Sequence, residues 1–124
     1  MQIVKLRIGN HVFDTKVLNS KKDIMIGMMR KKFDHGYNAL LFYPIDNTGG
    51  FWMKNCIIPL DIIFLKGNKI KYIHRNCPTC HYLDDSKCPR YHYEDCDSAI
   101  EVEGGTCRSL GIRVGNLCFL DESK

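Results

Sequence analysis

Phe51-Trp52-Met53-Lys54-Asn55-Cys56-Ile57-Ile58-Pro59-Leu60-Asp61-Ile62-Ile63-Phe64-Leu65 joins the only tryptophan of the chain to its longest apolar run. A continuous apolar run of this kind, bounded by Pro59 and by the turn Lys66-Gly67-Asn68-Lys69, reads as a strand buried on both faces. Lys54, Asn55 and Asp61 contradict their surroundings, because a buried charge is costly unless it is paired or hydrogen-bonded. These three polar positions therefore either lock the fold or serve a ligand.

Working outward, Lys69 to His74 completes a hairpin across that turn, and Ala39 to Tyr43 and Phe51 to Asn55 are strand-like segments bounded by Gly, Asn, Asp or Pro. Gln2 to Ile8 and His11 to Leu18 alternate polar and apolar residues about the turn Gly9-Asn10 and form a strand pair. Ser20 with Asp23 fits a capping box, and Ile24, Met25, Met28 and Met29 recur at helical spacing, predicting a helix over Lys21 to Lys31. Its methionines read as flexible core filler. Ala99 to Glu103 and Leu117 to Leu120 are closing strands, separated by a turn or short helix around Thr106 to Leu110. With 124 residues and ordinary apolar and charged fractions, the chain is expected to be one domain spanning 1–124. The fold class is mainly β (α+β): a compact barrel-like or sandwich-like domain with one short helix in its N-terminal half and a long Cys-rich loop.

The formal charge of +4 is mild. The basic residues Lys21, Lys22, Arg30, Lys31 and Lys32 flank the predicted helix as a solvated face, so nucleic acid is not the expected partner. The apolar run is too short to cross a bilayer, and the N-terminus lacks the pattern of a signal segment, which favours the cytoplasm. Disulfides among the cysteines would instead indicate an exported or surface protein.

The irregular loop at 76–97 carries Cys77, Cys80, Cys88 and Cys96 in the pattern C-x2-C-x7-C-x7-C. A C-x2-C turn presents two thiolates to a tetrahedral zinc, and His81 or His92 is an alternative ligand to Cys96. A zinc so held would be structural, since four protein ligands leave no open position. Zinc is the leading reading; one or two disulfides come next, and free thiols last. Cys118 lies in an apolar string and reads as core. Cys56 would be a nucleophile only beside a base, and the sequence assigns none.

If Phe51 to Asn55 is extended, Trp52 and Lys54 share one face, setting an aromatic plate beside a cation. Asp61 can pair with Lys54 or Arg30 as part of a site, or can serve the fold through a buried ion pair or a turn hydrogen bond.

At these residues the sequence resembles a known family. Phe51-Trp52-Met53-Lys54-Asn55 with Pro59-Leu60-Asp61 is similar to the central signature of domain of unknown function 192. Gly27-Met28-Met29-Arg30, Leu40-Leu41-Phe42, Pro78-Thr79-Cys80, Cys88-Pro89-Arg90-Tyr91, Glu101 to Gly105 and Leu110 to Gly115 resemble its other blocks in order. The resemblance implies a mainly β single domain, often exported, with no established activity. The usual loop pair, here Cys80 and Cys88, would suit a disulfide in exported members. This chain departs from the pattern with Cys56 in place of Thr, with Ile24 and Ile26 in its helix, and with the additional Cys77 and Cys96, which favour a structural zinc.

Three functional readings follow. The first is a module that binds a small polar ligand or a protein partner through Trp52, Lys54, Asn55, Asp61, Arg30, Tyr91 and Glu101, with the Cys-rich loop as a rigid lid. The second is an enzyme using Asp61 or Glu101 as acid or base with Lys54 as electrostatic partner, although no known catalytic motif matches. The third makes the polar residues purely architectural.

Overall fold

The computed structural model describes residues 2–46 and 50–121. Among them are nine strands and two short α-helices: β1 (Ile3–Ile8), β2 (His11–Leu18), α1 (Lys21–Ile26), β3 (Ala39–Phe42), β4 (Phe51–Trp52), β5 (Leu60–Lys66), β6 (Lys69–Cys77), β7 (Arg90–Tyr91), β8 (Ser98–Glu103), α2 (Thr106–Leu110) and β9 (Cys118–Leu120). Seven strands form one sheet in the order β6-β5-β8-β3-β2-β1-β9, and β4 and β7 form a separate two-stranded ribbon. Only β2 and β3 run parallel, with α1 in the connection between them. The other pairs are antiparallel.

The sheet curls far enough for its two edge strands to touch at one corner. Ile70 N donates to Asn116 O at 2.9 Å, Gly115 N to Ile70 O at 2.8 Å and Cys118 N to Asn68 O at 2.7 Å, tying the start of β6 to the approach of β9. The result is a half-barrel. Backbone groups that would be exposed at a sheet edge are thereby paired.

β5 lies between β6 and β8, and Leu60 to Leu65 are all buried, as expected for a run without polar alternation. Side chains alternate across a strand, so the run feeds two cores. Ile63 and Leu65 join Leu6, Ile8, Phe13 and Ile112 in one cluster. Leu60, Ile62 and Phe64 face the other way, toward Met28, Phe42, Met53 and the loop cysteines. The second cluster is covered by α1, the β4/β7 ribbon and the Cys-rich loop.

The structure corrects several boundaries. α1 ends at Ile26, not Lys31, because Gly27 adopts φ 47° and ψ −122°, a conformation that essentially only glycine tolerates. Ser20 caps the helix as the pattern predicts, accepting from Asp23 N at 3.1 Å. Beyond Gly27 the chain pairs with the signature segment: Met29 bridges Cys56, and Arg30 N donates to Asn55 O at 2.8 Å. The strand expected over Phe51 to Asn55 stops at Trp52, since Asn55 sits at φ 61°. β6 runs on to Cys77, where it still pairs with Leu60. The loop expected to be irregular contains β7 and a 3-10 turn at Asp85–Lys87. None of the described helices is long and apolar enough to cross a membrane.

Candidate functional site

The signature polar residues hold backbone. Asp61 is fully buried, and its carboxylate accepts three main-chain hydrogen bonds: Oδ1 from Asn76 N at 2.7 Å and Gly105 N at 3.2 Å, Oδ2 from Cys107 N at 2.8 Å. Two of these donors open α2, whose cap residue Gly105 has no side chain to accept them. Of the alternatives open for Asp61, the structure has the hydrogen bonds to turn backbone and not the ion pair with Lys54 or Arg30. The Lys54 ammonium instead donates to Tyr82 O and pairs with Asp85, and Asn55 N donates to Cys80 O at 3.0 Å. Lys54 and Asn55 thus fasten the Cys-rich loop to the ribbon. Replacing Lys54→Met is expected to speed hydrogen exchange across residues 81–88 while leaving amides of β5 and β8 protected. Equal acceleration in the two regions would argue against this local role.

The cysteines divide differently from the zinc expectation. Cys80 and Cys88 form a disulfide with Cα atoms 5.8 Å apart, removing two of the four thiols that a four-cysteine site needs. Cys77 and Cys96 are buried thiols. Cys77 donates to His74 O at 3.4 Å and contacts the Tyr91 hydroxyl, and burial pushes its thiol up to about 11. His81 and His92 are exposed. Among the described residues no three His, Cys, Asp or Glu side chains gather in a metal-binding cluster.

A cavity of about 860 Å³ lies under α1. One wall is the helix and its end, with Ile24, Met25, Met28 and Met29, and the facing wall is aromatic, with Phe42, Phe51, Trp52 and Tyr93. Lys21, Asp46 and Arg90 stand exposed at the mouth, whereas Cys56 and Glu101 are buried in the lining. Arg90 lies over the Trp52 ring, 3.9 Å from its centroid, and is the cation that the sequence assigned to Lys54. The two residues are cross-strand partners in the β4/β7 ribbon, which sets the stack.

Glu101 is placed by strand alternation. On β8 its neighbours Ile100 and Val102 enter the half-barrel core, so Glu101 projects to the α1 side, flanked across the sheet by Leu40 and Ile62. It is only 4% exposed; no hydrogen bond or ion pair to its carboxyl group is found among the described residues, and since no fully buried side-chain oxygen there lacks a partner, its oxygens keep a small area open to the cavity. Burial without compensation raises its pKa from 4.5 to about 8. Gly27 allows the helix end to approach this point: a Cβ there would stand 3.3 Å from the Phe42 ring and 3.7 Å from Glu101 Oε1. Cys56 is pushed up to about 12, first by burial and then by Glu101, so it is held as a thiol and is no activated nucleophile.

Of the residues singled out from sequence, Trp52 and Glu101 line the cavity. Lys54, Asn55, Asp61, Arg30 and Tyr91 do not. The α1 wall, Phe51, Tyr93 and Arg90 were missed as site residues. The available signal was the methionine-rich helix, since methionine also lines adaptable binding surfaces.

A family model described as DUF192, Uncharacterized ACR, matches residues 4–118. No curated protein matches the chain. A crystal structure of a protein of unknown function from Novosphingobium aromaticivorans DSM 12444 superposes with a TM-score of 0.79 at 24% identity, over 96% of this chain and 86% of that one. A second, of a "putative transcription regulator" from Sinorhizobium meliloti 1021, superposes with a TM-score of 0.76 at 19% identity, over 96% of this chain and 94% of that one. At these identities the likenesses establish the shared fold alone.

Proposed function

Since the chain belongs to the family of domain of unknown function 192, which carries no assigned chemistry, we propose from its cavity that it is a small-ligand-binding module. One observation carries the reading: a buried carboxyl group without a protein partner lines a cavity of about 860 Å³. A carboxyl group that no protein group pairs and that keeps a small area open to a cavity is satisfied by whatever occupies it. The occupant has an apolar body that packs against the methionines and aromatic rings and a polar head that meets Glu101. The volume suits a ligand of ordinary small-molecule size.

The acid–base alternative is weaker for Asp61 and for its partner Lys54. Asp61 is sealed from solvent with its oxygens on three backbone amides, and Lys54 is engaged with the Cys-rich loop. A general acid or base must reach its substrate. The architectural reading is retained for Lys54, Asn55 and Asp61, while the cavity takes the binding role.

The test uses methionine methyl resonances. Met25, Met28 and Met29 line the cavity, whereas Met53 is buried outside its lining. Amphipathic fragments with one polar head are expected to shift the first three methyl signals and leave Met53 in place. Fragments that bind elsewhere, or none that bind at all, would overturn the proposal.

A further inference from the structure

Resting on that binding role, we infer that the occupant is a monocationic amine with an apolar body, its ammonium paired to Glu101 within the aromatic wall and its tail directed toward the mouth. Three features of the lining converge on this chemistry.

The first is the isolated carboxyl group. Glu101 is 4% exposed, and its cross-strand neighbours Leu40 and Ile62 offer it no charge or hydrogen bond. An alcohol or an organic acid would give it one ordinary hydrogen bond. An ammonium gives a charge-assisted one, roughly twice as strong, and matches the ionised form that the apolar surroundings otherwise penalise.

The second is the wall around it. Phe42 and Phe51 meet edge to face with centroids 5.1 Å apart, and Phe51 and Tyr93 likewise at 6.1 Å. Aromatic rings attract a desolvated cation through their quadrupoles, and such rings beside a carboxylate form the usual cage for alkylated ammonium groups. Gly27 keeps the approach to the carboxyl open, because a side chain at that position would press on the Phe42 ring and lie against Glu101.

The third is the mouth, where Lys21 and Arg90 stand against the single carboxylate of Asp46. A second positive charge on the ligand would meet this excess of like charge, so a monoamine is preferred to a diamine.

The titratable groups around Glu101 do not blur the readout. Cys56, packed beside it, is held neutral up to about 12, and Cys77 at the end of β6 up to about 11. Burial also raises Tyr93. Lys21, Arg90 and Asp46 are the exposed charges at the mouth. Binding therefore displaces one proton from Glu101 wherever that residue is protonated, and amine affinity rises with pH by up to roughly tenfold per unit until about 8.

Calorimetry with octylamine, octanol, octanoate and octanediamine on the full chain tests the assignment. Octylamine is expected to bind most tightly, to release protons into the buffer and to follow that pH dependence. Glu101→Gln is expected to abolish both the amine preference and the pH dependence while keeping octanol binding. If octanol or octanoate binds as well as octylamine, or if Glu101→Gln retains the amine affinity, the cation assignment falls while the cavity reading stands. Equal binding of octanediamine overturns the monocation assignment. Failure of all four compounds to bind overturns both readings.

Discussion

Asp61→Ala is expected to lower the stability of the protein by about 4 kcal/mol, a large share of the roughly 5 to 15 kcal/mol that holds an ordinary domain folded. The substitution strips acceptors from Asn76 N, Gly105 N and Cys107 N, all within 3.2 Å of the carboxylate. Each orphaned buried donor costs about 1 to 3 kcal/mol, and water filling the vacated space recovers part of the sum. The loss spreads beyond one residue, because the same carboxylate joins the start of β5 to the end of β6 and to the first turn of α2. Asp61→Asn keeps the shape and one acceptor oxygen but turns an amide donor toward backbone donors, so it falls between wild type and Ala. Urea denaturation of the three proteins measures the ranking. A change below about 0.5 kcal/mol for Asp61→Ala would remove the architectural role, since that is the range of substitutions with no special mechanism.

Glu101→Gln acts in the opposite direction. The unfolded carboxyl titrates near 4.5 and the folded one at about 8, so between these values the native state holds a proton that the unfolded state has released. Wild-type stability therefore falls as pH rises from 4.5 toward 8, with the full loss present above 8. Glutamine cannot ionise and removes that slope. The variant is expected to exceed wild type by an amount on the order of 3 kcal/mol near neutral pH, with the gap closing in acid. Chemical denaturation across the pH range measures the difference. Parallel profiles for the two proteins would show that Glu101 does not titrate in this window. A residue whose removal stabilises the fold is retained for something other than stability, which agrees with a binding role.

These opposite signs separate two acidic residues that the sequence treated alike. Asp61 and Glu101 each interrupt an apolar strand, and both were read as one cluster with Lys54. Their surroundings differ because β5 and β8 are adjacent in the sheet and the two carboxyl groups leave it on opposite faces. Asp61 reaches the backbone of α2 and β6, whereas Glu101 enters the space beneath α1. Local pattern marks both as exceptions but is blind to which partner waits on each face.

The sequence by itself determined the strand framework, the capped start of α1, the burial of β5 on both faces and the mainly β class, because these follow from side-chain alternation and turn chemistry within a few residues. It also carried the family signature from end to end. Only the tertiary structure decided that α1 stops at Gly27, that Cys80 pairs with Cys88, that Arg90 and not Lys54 covers Trp52, and that Glu101 stands without a partner beside a cavity. Each of these depends on groups distant in the chain being brought within a few ångströms. Periodicity records which face of an element is apolar, and the folded chain alone settles what that face meets.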